Sequence, residues 1–169
     1  MNYAQIMLKL YLDKLDIEFD MSKYSGRRRA QKAVYLGQMA GAEIGYAFGW
    51  YEYGPYSPEL MTALLKLEDR LWDDEYKEYE LHDYLTEKLT AVKDLMIVPE
   101  NIDLSQSDWL VLVASVVYCS NEHKCKDDNK LKRFFLRDNG KFSIYFDDAI
   151  TSANKYNLLN NKGEVNEKL

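Results

Sequence analysis

A chain of 169 residues, 47% of them hydrophobic and 14% aromatic, is long enough to bury one sizeable core and too apolar to stay disordered. Its net charge of -6 argues against wholesale coating of a polyanion, and its two cysteines do not make a dense disulfide framework. The excess of 14 Tyr over 6 Phe gives many aromatics a polar end that sits best near water, as at contact surfaces.

In chain order, residues 3–16 place Lys9, Asp13 and Asp16 on one helical face and Tyr3, Ile6, Met7, Leu10 and Tyr11 on another, which predicts an amphipathic helix. Its charges leave no uncharged stretch for a secretory leader, so a reducing, cytoplasmic compartment is expected. Ser22–Gly26 reads as a break, with Ser25 capping a second helix over about residues 27–42. Ala30, Ala33, Val34 and Gly37 form its inward stripe. Gly37 can admit a neighbouring helix, and Gly41 and Gly45 end this one.

Phe48–Tyr56, FGWYEYGPY, surrounds a Gly-Pro turn signal with large aromatics and predicts short extended segments around a turn near residues 48–56. Ser57, Pro58 and Glu59 then start a helix through a capping hydroxyl, a proline in the first turn and an acid at the positive helix end. Leu60, Leu64, Leu67 and Leu71 give its buried stripe. A helix over about residues 75–96 follows from Leu81, Leu85, Leu89, Val92 and Met96, and Pro99 stops it. Ser105 or Ser107 caps the next helix, whose run Trp109–Tyr118 is apolar on all sides and belongs at the centre of the domain. The longest apolar run, Trp109–Cys119, broken only by Ser115, is 11 residues long, well short of the ~20 that span a bilayer. Asn121–Lys130 reads as a polar loop, Leu131–Leu136 as a short amphipathic piece, and Asn139-Gly140 as a turn. Ser143 opens a last helix through about Leu158, with Ile150, Ala153 and Leu158 inward. The expectation is one mainly α domain of about six helices over residues 1–160, with a frayed tail at 161–169.

Charge is segregated along this order. Lys23–Lys32 carries five basic residues and no acid, so subtracting its +5 from the total of -6 leaves -11 for the rest of the chain. Glu68–Glu87 holds nine acids against two bases, a local -7, whereas Lys124–Lys141 holds seven bases against three acids, a local +4. Arg27, Arg28 and Arg29 near a helix N-terminus oppose the helix dipole, so an acid of the same domain or an external partner must favour them.

No HExxH, GxSxG, P-loop or dinucleotide-binding motif is present, and the chain has two histidines, His82 and His123. Cys119, His123 and Cys125 form a C-x3-H-x-C cluster with no fourth ligand nearby, so no metal, cofactor or catalytic residue is assigned. Glu52 and Glu59, which flank the aromatic turn, have nothing to fix their separation as an acid-base pair.

The run Arg29–Leu36, which includes Lys32 and the Tyr35-Leu36 pair, followed by Trp50–Leu60 with its Tyr-Gly-Pro-Tyr-Ser-Pro-Glu-Leu sequence, resembles the YwgA-like proteins. More distantly it resembles the Panacea (SocA-like) antitoxin domain. That resemblance implies a compact helical domain without known catalysis, often carried on mobile elements, whose antitoxin relatives neutralise toxins by protein contact. The expected function is a non-enzymatic interaction module that acts on a protein partner, a toxin or a host-defence component. Its expected contact residues are Trp50, Tyr51, Tyr53 and Tyr56 with Arg27, Arg28, Arg29 and Lys32. The alternative is nucleic-acid binding through the same basic residues together with Lys130, Lys132 and Arg133. An enzyme of unrecognised type is a further alternative.

Overall fold

The computed structural model describes residues 1–121, 140 and 142–160. The expected loop beyond Asn121, the amphipathic piece over 131–136 and the frayed tail lie outside the described residues. So do Lys130, Lys132 and Arg133, and His123 and Cys125 of the cysteine-histidine cluster. Among the described residues the order is α1 (Tyr3–Lys14), α2 (Tyr24–Met39), β1 (Gly49–Tyr51), β2 (Gly54–Tyr56), α3 (Pro58–Glu68), α4 (Asp83–Val92), α5 (Gln106–Asn121) and α6 (Phe146–Lys155). The protein is therefore mainly α, with one two-stranded antiparallel hairpin. No helix among the described residues is long and apolar enough to cross a membrane.

The all-round apolar character of Trp109–Tyr118 has the predicted result. Every residue from Ser107 to Cys119 is buried, and α2, α6 and the hairpin strand β2 pack around α5. Each large side chain removed from water there contributes roughly 1.5–3 kcal/mol, so α5 is the main hydrophobic anchor of the fold. Ser105 rather than Ser107 caps it, accepting from the Asp108 amide at 3.1 Å.

α2 lies against this anchor and is buried without interruption from Ala30 to Gln38. It begins earlier than the sequence predicts. Lys23 occupies the capping position without a side-chain capping bond, its amine pairing with Asp20 instead, and Ser25 lies inside the helix. Arg27, Arg28 and Arg29 consequently sit in its second turn, where the helix-end field has largely decayed. Gly37 meets Tyr11 of α1: a Cβ at Gly37 would lie 2.2 Å from the Tyr11 hydroxyl, which donates to the Ala42 carbonyl at 2.9 Å.

Three expected elements differ in detail. On α1 the buried side chains are Ile6, Leu8, Tyr11 and Leu12, while Tyr3 is 76% exposed. The inward stripe is rotated because α1 is covered by α3 on one side and by α2 and α4 on others. The helix expected over 75–96 is three pieces: a 3-10 turn at Asp74–Glu78, α4, and a second 3-10 turn at Lys93–Met96. It breaks at Tyr79 because the residues before it are acidic and bury nothing, so there is no apolar stripe to hold a continuous helix. His82 restarts it, its Nδ1 accepting from the Tyr84 amide. The last helix opens with a 3-10 turn at Ser143–Tyr145 and becomes α-helical at Phe146; Ser143 donates its hydroxyl to the Gly140 carbonyl instead of capping. Phe146, Ala149 and Ala153 are its buried residues, and Ile150 is half-buried.

Candidate partner-binding cleft

The hairpin is built by its sequence. Tyr51 pairs with Gly54 and Trp50 with Pro55, so the two residues between the strands are Glu52 and Tyr53. The expected Gly54-Pro55 turn is thus displaced by two residues: both lie in β2. Glu52 and Tyr53 keep negative φ, whereas Gly54 has φ +82°. A turn of this kind needs its left-handed residue just after the loop, and glycine takes that conformation without strain. Glycine is required for a second reason, since a Cβ at Gly54 would lie 2.2 Å from the Ser115 hydroxyl oxygen on α5.

Among the described residues the outer edge of β2 has no neighbouring strand, and side chains from α2 take that place. The buried Gln31 amide donates to the Ser57 carbonyl and accepts from the Ser57 amide, both at 2.9 Å, as a paired strand would. Beside it the Lys32 ammonium nitrogen donates to the Pro55 carbonyl at 2.8 Å. Two turns after Gln31, Gln38 holds the loop after α2 by donating to the Tyr46 carbonyl at 2.9 Å and accepting from its amide at 3.0 Å. These bonds lock the hairpin onto α2 in one orientation, because breaking any of them strands a buried polar group.

Between α2, the hairpin and α3 lies a cleft of about 550 Å³. Strand alternation sorts the aromatics around it. Tyr51 points into the cleft and meets Tyr56 at 5.0 Å between ring centroids, while Trp50 points to the core and packs on Tyr118 at 5.5 Å. Tyr53 reaches across to Tyr24 at the start of α2, edge-on at 5.8 Å. The Arg28 guanidinium sits 5.0 Å from the Tyr24 ring and 5.1 Å from the Tyr53 ring, and pairs with Asp108 of α5 at 3.2 Å. Arg27 donates to the Met21 and Ser22 carbonyls from the same wall. Lys32 is only 2% exposed, and burial holds its amine down to about 7, with the Arg28 charge adding to the effect. Burial likewise raises the Tyr24 phenol, with Tyr53 contributing and Arg28 opposing.

Of the eight contact residues expected from sequence, six line this cleft: Arg27, Arg28, Lys32, Tyr51, Tyr53 and Tyr56. Trp50 does not, for the reason given, and neither does Arg29, which turns away to pair with Glu18 at 3.1 Å. Own-chain acids therefore receive two of the three arginines. The sequence reading missed Tyr24, Gln31, Met61 and Leu65 as cleft residues. Gln31 and Gln38 stand seven residues apart on the buried face of α2, and polar side chains on a helix stripe that also holds Val34 are the signal that marked them. Met61 and Leu65 were visible as an apolar pair four residues apart, offset from the stripe of Leu60, Leu64 and Leu67. Among the described residues no group of three or more His, Cys, Asp or Glu side chains is placed to hold a metal ion.

Fold and cleft together define a mainly α domain that presents a preformed, tyrosine-walled pocket with cations at its base. Comparison with protein-family models, with curated proteins and with solved structures found no match.

Proposed function

We propose that the chain is a non-catalytic interaction module whose cleft docks a segment of a protein partner and so neutralises or regulates that partner. The observation that carries this reading is the gathering of four tyrosines and three cations, from residues scattered between Tyr24 and Tyr56, into one concave site. Tyrosines held by ring contacts lose little freedom on binding, and such fixed aromatic and arginine anchors supply most of the energy of small interfaces. Arg28 is fixed between two rings and an acid, so it too is ordered before any partner arrives.

The resemblance to the YwgA-like and Panacea-like families supports a toxin or host-defence component as that partner, and carriage on a mobile element. Its residues fall on the structural parts just described: Lys32 reaches Pro55, and Ser57 caps α3 against Leu60. Nucleic acid is the second reading, favoured by the combination of tyrosine faces and cations, which can stack bases and meet phosphates. Glu52 on the cleft rim and the net charge of -6 oppose it.

Affinity purification from the native host, with and without nuclease, separates the two. A protein that co-purifies after nuclease treatment and is lost from a folded Tyr53→Ser variant supports the first reading. Nucleic acid that is retained by the wild type and lost with that variant supports the second and refutes the first.

A further inference from the structure

We propose that the inner end of the cleft is a carboxylate-binding subsite, in which Arg28 and Lys32 receive an acidic side chain of the docked segment while the tyrosine rings cover the residues beside it. This rests on the reading of the cleft as a protein-docking site. Arg28 and Lys32 stand four residues apart on α2 and so project from one face, towards the same cleft. Two cations at that spacing repel one another unless an anion lies between them. Among the described residues Lys32 hydrogen-bonds to a neutral acceptor, the Pro55 carbonyl, although an ammonium has three donors. The Arg28 Nε is buried without a partner. A cationic pair with donors to spare, Lys32 buried and Arg28 half-buried, is what an incoming carboxylate would satisfy.

Charge decides between a carboxylate and a phosphate. Among the described residues the ionised groups around Lys32 are Arg27 and Arg28 on α2, Glu52 in the hairpin turn, and Asp108 of α5 behind Arg28; the α3 wall supplies the uncharged Met61 and Leu65. With Lys32, these described groups make three cations against two carboxylates and leave +1, which matches a single carboxylate and not a phosphate dianion. The remaining lining is Gln31, Gly54 and the four phenols, whose rings with the Met61 and Leu65 side chains suit an apolar or aromatic residue next to the acid. Lys32 then couples occupancy to protons. Its amine is held down to about 7 by burial and by Arg28, and a carboxylate at its nitrogen favours the ammonium. Binding therefore draws a proton onto Lys32 and weakens as pH rises above 7.

The test uses the whole chain, with the Met61 methyl group as a reporter in carbon-13 spectra. The probes are the blocked tripeptide acetyl-Leu-Glu-Tyr-amide, its Gln counterpart, and inorganic phosphate. The Glu peptide should bind at least about tenfold tighter than the Gln peptide at pH 7, the margin of one charge-assisted contact. That margin should shrink by about tenfold or more by pH 9, and the side-chain titration midpoint of Lys32 should rise when the Glu peptide is bound. Arg28→Gln and Lys32→Met should each lower the ratio of Glu-peptide to Gln-peptide affinity. Because the peptide comparison is made on the wild type, it stands even if a variant fails to fold. Equal responses to both peptides would overturn the carboxylate subsite while leaving a docking cleft. Phosphate displacing the Glu peptide would also overturn it, and so would silence of the Met61 reporter with both peptides. Loss of the purified protein partner's dependence on Tyr53 would instead defeat the docking reading itself.

Discussion

Replacing Lys32 by Met should flatten the rise of stability with pH above neutrality. The native amine titrates at about 7, because burial disfavours the ammonium, whereas an ordinary lysine in the unfolded chain titrates at 10.5. Between those values the unfolded chain holds more protons than the folded one, so raising the pH stabilises the fold, by at most ~1.4 kcal/mol per pH unit. Below about 7 both states are protonated and the cost of the buried charge is fully present. Above 10.5 both are neutral and it has vanished. Integrated from pH 7 to pH 9, the single amine contributes a gain of about 2 kcal/mol. Methionine fills nearly the same volume, cannot titrate, and leaves the Pro55 carbonyl without its donor, a pH-independent loss of ~1 kcal/mol. Urea unfolding at pH 7, 8 and 9 measures the difference between wild type and variant at each pH. Groups common to both, such as the raised Tyr24 and Tyr46 phenols, cancel in that difference. A wild-type advantage that grows by about 2 kcal/mol supports the account; parallel curves would show that Lys32 keeps an ordinary amine in the fold and refute it.

Gly54→Ala forces a side chain into a φ of +82° and against Ser115, so urea unfolding should report a loss of about 2 kcal/mol or more. Ser115→Gly in the same chain should recover part of it; an unchanged midpoint for Gly54→Ala would disprove the close approach. Gln31→Leu leaves the Ser57 amide without its acceptor, while the Ser57 carbonyl keeps the Met61 amide, and should cost roughly 1–3 kcal/mol, with faster amide exchange at Ser57 as the specific sign. Gly37→Ala should also destabilise by about 2 kcal/mol or more, and Tyr11→Phe should partly rescue it by removing the nearest atom; additive losses would mean that the two residues do not meet.

Much of this architecture can be read from residue patterns. The central α5 follows from an apolar run with no polar face, and the start of α3 from Ser57, Pro58 and Glu59, because in both cases the deciding physics is local. Six of the expected contact residues share one cleft for the same reason: the aromatic hairpin and the basic turn of α2 each cluster in sequence. What escaped depends on contacts between distant segments. The rotated stripe of α1 is set by which helices cover it, and the break before α4 by the absence of anything for the acidic residues to bury. The displaced turn was misread because Gly54 and Pro55 are turn formers, yet their positions answer to Ser115 of α5 and to Lys32 of α2. Trp50 was grouped with Tyr51 by proximity, although strand alternation sends neighbours to opposite faces. Arg28 could not be assigned a partner because Asp108 lies 80 residues away.

The claim that the cleft docks a protein is tested most directly by a photo-activated cross-linking residue placed at Tyr51, 49% exposed on the cleft wall, with a second at Ile144, 76% exposed outside the cleft, as control. After irradiation in the native host, the account predicts one protein adduct from position 51 that resists nuclease and is missing from position 144. Adducts to nucleic acid from position 51, or the same protein adduct from both positions, would contradict it.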